Sequence, residues 1–291
     1  MEVIRHAGAI RANAVAVRAS ERSLGLVPTM GFFHEGHLSL IRRARAERDV
    51  VVVSIFVNPL QFGPAEDLDS YPRDLDRDLA LAEKEGVELV FAPDVDEMFP
   101  HGRPEVTVDP GSIADRLEGA ARPGHFRGVC TVLARLFHLV GPSRGYFGEK
   151  DAQQLVVVRM MVRDLAFPVE IRGCPIVREP DGLAMSSRNA YLSSEERTAA
   201  RCLSDALRRA TEAVEEGETV AAKLAALMRD RIEAEPLAAL EYAVIVDEQS
   251  FREVVRLERP ARALVAARVG KPRLIDNTLL PVGENVRGEA P

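Results

Sequence analysis

The run from Val50 to Val57 constrains the fold of this chain more than any other stretch. Val50-Val51-Val52-Val53-Ser54-Ile55-Phe56-Val57 is almost unbroken β-branched and apolar sequence, with no alternation of polar residues. A strand with one face in water alternates. One covered on both faces reads as a continuous apolar run, the mark of a parallel sheet between layers of helix.

The sequence around it keeps the matching rhythm. Leu24 to Val27 reads as a strand, Leu38 to Arg48 as a helix, and Asp74 to Glu85 as a charged amphipathic helix before a strand at Val87 to Phe91. Val129 to Val140 is helical in period, Tyr146-Phe147 ends a short strand, Leu155 to Leu165 is helical and Val169 to Val177 reads as a strand. Repeated β-α alternation predicts the doubly wound α/β class, in which ligands sit beyond the carboxyl ends of the strands. After about residue 180 the texture changes. Ser193-Ser194-Glu195-Glu196 is a capping-box pattern opening a helix to about Glu216, and a second helix is expected from about Thr219 to Ala234. Strands follow at Tyr242 to Val246, Ala263 to Val269 and Leu274 to Asp276. Helices followed by strands point to a smaller α+β domain, with the boundary near 176–186. The expected division is 1–176 and 177–291.

Composition narrows the function. A net charge of −7 excludes a general nucleic-acid binder, which needs a basic footprint over many phosphates. Any nucleotide must be held by a small local cluster of donors. Met1 to His6 is interrupted by charge and shows no signal-peptide core, and no apolar run is long enough to span a membrane. Three cysteines (Cys130, Cys174, Cys202), widely spaced and away from any metal-like cluster, fit buried free thiols in a reducing cytoplasm. Only four of the 38 basic residues are lysines (Lys84, Lys150, Lys223, Lys271). A lysine inside a motif therefore favours a role for a compact ammonium.

Four segments could carry chemistry. Met30-Gly31-Phe32-Phe33-His34-Glu35-Gly36-His37 follows the first strand; two imidazoles three residues apart at a strand-to-helix turn suit phosphate, with the helix N-terminus supplying N–H donors. The bland reading is two surface histidines and a turn glycine. Asn58 and Gln61 follow the buried strand and could orient hydroxyls and a carboxylate without a competing charge, although Asn58-Pro59 could equally be a turn initiator. Gly148-Glu149-Lys150-Asp151, with Gln154, places Lys150 at a helix entrance, while Asp151 and Gln154 could instead form a capping box. Met185-Ser186-Ser187-Arg188 combines hydroxyls with a cation at the domain junction. The common phosphate-loop, dinucleotide-turn and nucleophile-elbow motifs are missing from the sequence.

Taken in order, Pro28-Thr29-Met30-Gly31 with His34-Glu35-Gly36-His37, the Val53 to Gly63 stretch, Tyr71-Pro72-Arg73, Arg122 to Val129, Phe147 to Leu155 and Met185 to Leu192 resemble the pantothenate synthetase family, the pantoate–β-alanine ligases. The resemblance runs from about residue 22 to 282. It implies a Rossmann-like nucleotidyltransferase domain with a smaller C-terminal lid domain, usually as a homodimer. The implied reaction joins (R)-pantoate to β-alanine through a pantoyl-adenylate, with MgATP cleaved to AMP and pyrophosphate. By matching position, Met30 to His37, Gly148 to Asp151, Val177 and Met185 to Arg188 would form the ATP site. His34, His37 and Lys150 would be catalytic, and Gln61, Gln154 and Asn58 would hold pantoate, with Gln61 also near β-alanine. Asp78 matches an acid linked to magnesium in relatives, while Arg77 replaces a second acid found in some. Phe33 and Ala152 replace leucine and tyrosine of many relatives, read as changes in packing. The competing reading is a nucleotidyltransferase that moves a nucleotide onto a phosphate acceptor; the two neutral amides after the buried strand weigh against it.

Overall fold

The computed structural model describes residues 1–63 and 68–281, which fall into two compact units. One comprises Met1–Glu149 with Gln153–Pro175, the other Lys150–Ala152 with the chain from Ile176 onward.

The chain up to Cys174 runs β1 (Glu2–Ile4), α1 (Ala7–Ala19), β2 (Leu24–Thr29), α2 (Glu35–Glu47), β3 (Val50–Ile55), a 3₁₀ turn (Pro59–Gln61), α3 (Leu75–Lys84), β4 (Leu89–Phe91), α4 (Val95–Met98), α5 (Glu118–Ala121), α6 (His125–Val140), β5 (Ser143–Gly148), a 3₁₀ turn (Glu149–Asp151), α7 (Ala152–Asp164) and β6 (Val169–Cys174). Its six strands are all parallel, in the order β1-β4-β3-β2-β5-β6. The valine run forms β3 in the sheet interior, with Val50 to Val53 all buried, as the absence of alternation requires. The run outlasts the strand, which ends at Ile55 and turns toward Asn58. Likewise β6 stops at Cys174 and not at Val177, because Pro175 has no N–H to continue a ladder. Helix α6 begins at His125, earlier than its apolar period suggests, after Gly124 in a left-handed conformation (φ 84°).

Glu47, the last residue of α2, gathers several cations. It accepts from Arg144 Nη1 (2.7 Å), the Tyr146 hydroxyl (3.0 Å) and Arg43, with Arg172 at 3.4 Å. Burial pushes the Glu47 carboxyl up, but these donors and the charge of Arg43 outweigh it and bring it down to about 2.

The second unit holds α8 (Ser194–Glu215), α9 (Ala221–Glu233), β7 (Ala238–Asp247), β8 (Ala261–Val269) and β9 (Arg273–Leu280), the strands antiparallel in the order β7-β8-β9. The expected capping box opens α8. The Glu196 N–H donates to Ser193 Oγ (3.2 Å), and the Ser193 N–H donates to Glu196 Oε2 (2.8 Å). The buried stripe Ala199, Leu203, Ala206, Leu207 and Ala210 packs with Leu224, Met228 and the valines and alanines of β8. Cys130 and Cys174 in the first unit and Cys202 in the second are buried free thiols. Burial pushes Cys130 up to about 12 and the other two to about 11. No helix among the described residues is long and apolar enough to cross a membrane.

Candidate active site

In the parallel sheet, β2 is the strand at which the order reverses: β3 and β4 lie to one side of it, β5 and β6 to the other. Crossovers leaving in opposite directions open a crevice beyond the carboxyl end of that strand. Three of the four polar segments leave the ends of the three strands that meet there. Met30 to His37 follows β2, Asn58 to Gln61 follows β3, and Gly148 to Gln154 follows β5.

The imidazole pair is built by the start of α2. His34 is the N-cap residue and His37 the third helical position, with ring centroids 4.1 Å apart and planes inclined by 32°. A Cβ on Gly36 would lie 2.9 Å from the His34 ring atoms Cε1 and Nδ1, so glycine is what lets that ring fold over the first turn. The spacing His-x-Gly-His thereby acquires a steric reason. The His34 backbone N–H donates to His37 Nδ1 (3.4 Å), which in the neutral ring leaves the proton on Nε2 as a donor. Phe33 is buried in the core, its ring 5.6 Å from that of His37. Ala152 is buried as well. Glu35 pairs with Arg42, which also binds Glu85 (2.7 Å).

The two amides are held as a pair. Asn58 is 1% exposed; its Nδ2 donates to Gln61 Oε1 (3.0 Å) and to the Gly128 carbonyl (3.1 Å), while its Oδ1 accepts from the Leu60 N–H (3.2 Å). Asn58 is thus a turn initiator too, as the bland reading had it. With Oε1 engaged, Gln61 turns its Nε2 to Met30 Sδ at 3.2 Å, which joins the amides to the turn leading into the imidazoles. The N-terminus of α6 supports the same turn. His125 Nδ1 lies 2.9 Å from the Gln61 carbonyl, which only accepts, and Arg122 Nη1 lies 3.0 Å from His125 Nε2. That pair of partners selects the neutral tautomer protonated on Nδ1.

Asp78, at the start of α3, is 1% exposed. Its Oδ2 accepts from the Phe32 N–H (2.6 Å) and its Oδ1 from the Phe33 N–H (2.7 Å). Burial raises this carboxyl above the ordinary carboxylate range, and the two amide donors offset that only in part. Among the described residues no group of three His, Cys, Asp or Glu is placed to hold a metal ion.

Of the two adjacent glutamines on α7, Gln153 is buried and structural. It accepts from the Glu118 N–H (2.9 Å) and donates to the carbonyls of Ile113 (2.8 Å) and Arg116 (2.9 Å). Gln154 is half-buried. In the second unit, the Lys150 carbonyl accepts from Asn277 Nδ2 (2.9 Å), while the Lys150 side chain stays one-fifth exposed. The Met185 N–H donates to the Val177 carbonyl (3.0 Å), which sets Val177 beside the Ser186–Arg188 turn. Arg178 anchors this segment through a two-pronged pair with Asp276 (2.7 and 3.0 Å), and Asn189 through Glu179 (2.8 Å). Ser186, Ser187 and Arg188 remain half-exposed. Sequence reading assigns no role to Gln153, Gly128 or Asn277. Only the Arg122 to Val129 motif hints at the second of these.

The family model described as pantoate-beta-alanine ligase matches residues 2–279. The chain is 58% identical to the pantothenate synthetase of Roseiflexus sp. (strain RS-1), over 90% of this chain and 94% of that one. It is 56% identical to the pantothenate synthetase of Roseiflexus castenholzii, over 96% and 99%. Its fold matches the crystal structure of pantoate-beta-alanine (pantothenate synthetase) from Thermus thermophilus with a TM-score of 0.91, at 49% identity over 97% and 100% of the two chains. It also matches the pantoate-beta-alanine ligase of Francisella tularensis complexed with beta-gamma ATP and beta-alanine, with a TM-score of 0.79 at 33% identity over 96% and 97%.

Proposed function

This chain belongs to the pantoate-beta-alanine ligase family, ATP-dependent enzymes that form a C–N bond between pantoate and β-alanine, and we propose how its own residues divide that reaction. The observation that carries the proposal is the contact between Gln61 and Met30, which joins a charge-neutral amide pair to the turn that presents two imidazoles.

Asn58, Gln61 and Gln154 hold pantoate by its hydroxyls and carboxylate. Neutral amides bind an anion without forming a competing ion pair, so the carboxylate keeps its nucleophilicity. One carboxylate oxygen attacks the α-phosphorus of ATP in line, the bond to the β-phosphate oxygen breaks, and pyrophosphate leaves. Negative charge builds on the phosphate oxygens, where His34, His37 and Lys150 donate; in its neutral form His37, accepting at Nδ1, has Nε2–H as the donor. The amine of β-alanine then attacks the acyl carbon of the mixed anhydride and AMP departs.

The remaining ATP contacts are the backbone from Met30 to His37, Gly148 to Asp151, Val177 and Met185 to Arg188. The proposed division assigns 1–176 to ATP and pantoate binding and 177–291 to a C-terminal lid domain, since a reactive anhydride has to be kept from water. Magnesium arrives with the triphosphate as part of the substrate. Asp78 is the residue the resemblance links to it, and both its oxygens already accept backbone amides. A cytoplasmic homodimer completes the proposal; the three buried thiols fit a reducing compartment, and light scattering tests the dimer.

The deciding assay supplies ATP and pantoate with and without β-alanine, following pyrophosphate and AMP in parallel. Pyrophosphate should appear with pantoate alone, about one equivalent per site, and free AMP should accumulate only when β-alanine is added. Steady pyrophosphate release tied to a phosphate-bearing acceptor, with no free AMP, would sink the reading.

A further inference from the structure

We propose that Asp78 is a positioning residue for the nucleotide site, clamping Phe32 in a left-handed backbone conformation so that the turn from β2 into α2 presents its imidazoles in one geometry. This inference rests on the ATP-site reading above.

Gly31 and Phe32 both have positive φ, 81° and 54°. Glycine adopts this region freely, whereas a bulky side chain there is strained and persists only when its surroundings over-determine it. Asp78 supplies that determination. Its two oxygens take the N–H groups of Phe32 and Phe33, which fixes two successive peptide planes from one buried carboxylate. Arg77 adds a second hold from the same helix, its guanidinium carbon 5.5 Å from the centroid of the Phe32 ring. A Cβ on Gly31 would lie 2.9 Å from Asp78 Oδ2 and 3.0 Å from Ile55 Cγ2, so the carboxylate sits hard against the turn.

The clamp reaches the chemistry in two residues. Phe33, fixed at its N–H and buried at its ring, leads directly to His34, whose N–H meets His37. Asparagine at 78 could accept one of the two N–H groups but would turn an NH₂ donor toward the other, leaving a buried donor unmatched.

The experiment measures the pantoate-dependent pyrophosphate burst in Asp78→Asn, Phe32→Gly and the double variant, with ATP, pantoate and magnesium varied separately. Asp78→Asn should lower kcat/KM for ATP by about tenfold or more, as one unmatched buried donor does, while the KM for pantoate moves by less than about threefold. The double variant should recover activity relative to Asp78→Asn, because glycine needs no clamp to hold positive φ. No recovery, together with a raised magnesium requirement at fixed MgATP, would make Asp78 a metal ligand and overturn the proposal. If Asp78→Asn does not fold, amide hydrogen exchange in the unaltered protein decides. The Phe32 and Phe33 N–H groups should be strongly protected, and exchange at free-peptide rates would reject the clamp. Failure of the ATP-site reading is distinguishable, since the unaltered enzyme would then give no pyrophosphate burst.

Discussion

Gly128 lies against the backbone of Leu60 so closely that a Cβ on it would stand 2.3 Å from the Leu60 carbonyl oxygen and 2.6 Å from the Gln61 nitrogen. Helix α6 and the 3₁₀ turn that carries Gln61 therefore meet backbone to backbone, and the Gly128 carbonyl takes the Asn58 amide across the same contact. Gly128→Ala should push that turn away, destabilising the fold by about 1–3 kcal/mol as overpacking does. It should also raise the KM for pantoate more than that for ATP. Thermal unfolding and the two saturation curves check both.

Gln61→Glu places a carboxylate where we put a neutral amide beside an anionic substrate. Like charges forced together cost several kcal/mol, so kcat/KM for pantoate should fall on the order of 10²-fold near neutral pH. The melting temperature should change little, since Glu can still accept the Asn58 bond. Near-normal pantoate saturation would remove Gln61 from the substrate site.

His37→Ala and Lys150→Ala should each slow the first half-reaction on the order of 10²–10³-fold, the usual loss for one donor to a developing oxyanion. Rapid-quench measurement of pyrophosphate isolates that step from amide formation. Near-normal release in either variant would count against its assigned role.

Glu47 makes a prediction about acid stability. Its folded-state carboxyl is held at about 2 against an ordinary 4.5, so its contribution is complete above the ordinary value and is lost as pH falls toward 2. Glu47→Gln should be less stable than the parent near neutral pH. The gap between the two melting temperatures should close as the pH is lowered through about 4 to 2. A constant gap across that range would show that the Arg43, Arg144 and Tyr146 bonds do not stabilise the charged form.

Much of this was legible because the physics was local. The valine run announced a strand with both faces covered, and Ser193 with Glu196 announced the start of α8. The His-x-Gly-His spacing pointed to the first turn of α2, where the two ring centroids lie 4.1 Å apart. What escaped was short or distant. Strand β1 is three residues with two exposed, giving no period to detect, and α1 starts at Ala7 after an N-cap residue, His6, whose side chain makes no capping bond. The Asp78 bonds to Phe32 and Phe33 join residues 46 and 45 positions apart; the resemblance links Asp78 to magnesium, and nothing local to helix α3 points to this backbone role. Gln153 and Gln154 are adjacent and chemically identical. Only the fold turns one toward the carbonyls of Ile113 and Arg116.

Burial of Cys130, Cys174 and Cys202 leaves this enzyme without an accessible thiol in its native state. A single cysteine engineered at the surface would then be the sole attachment point for a maleimide dye, with no need to strip the native ones first. Two such positions, one on each compact unit, would give a fluorescence ruler for following rearrangement during turnover in the otherwise unaltered chain.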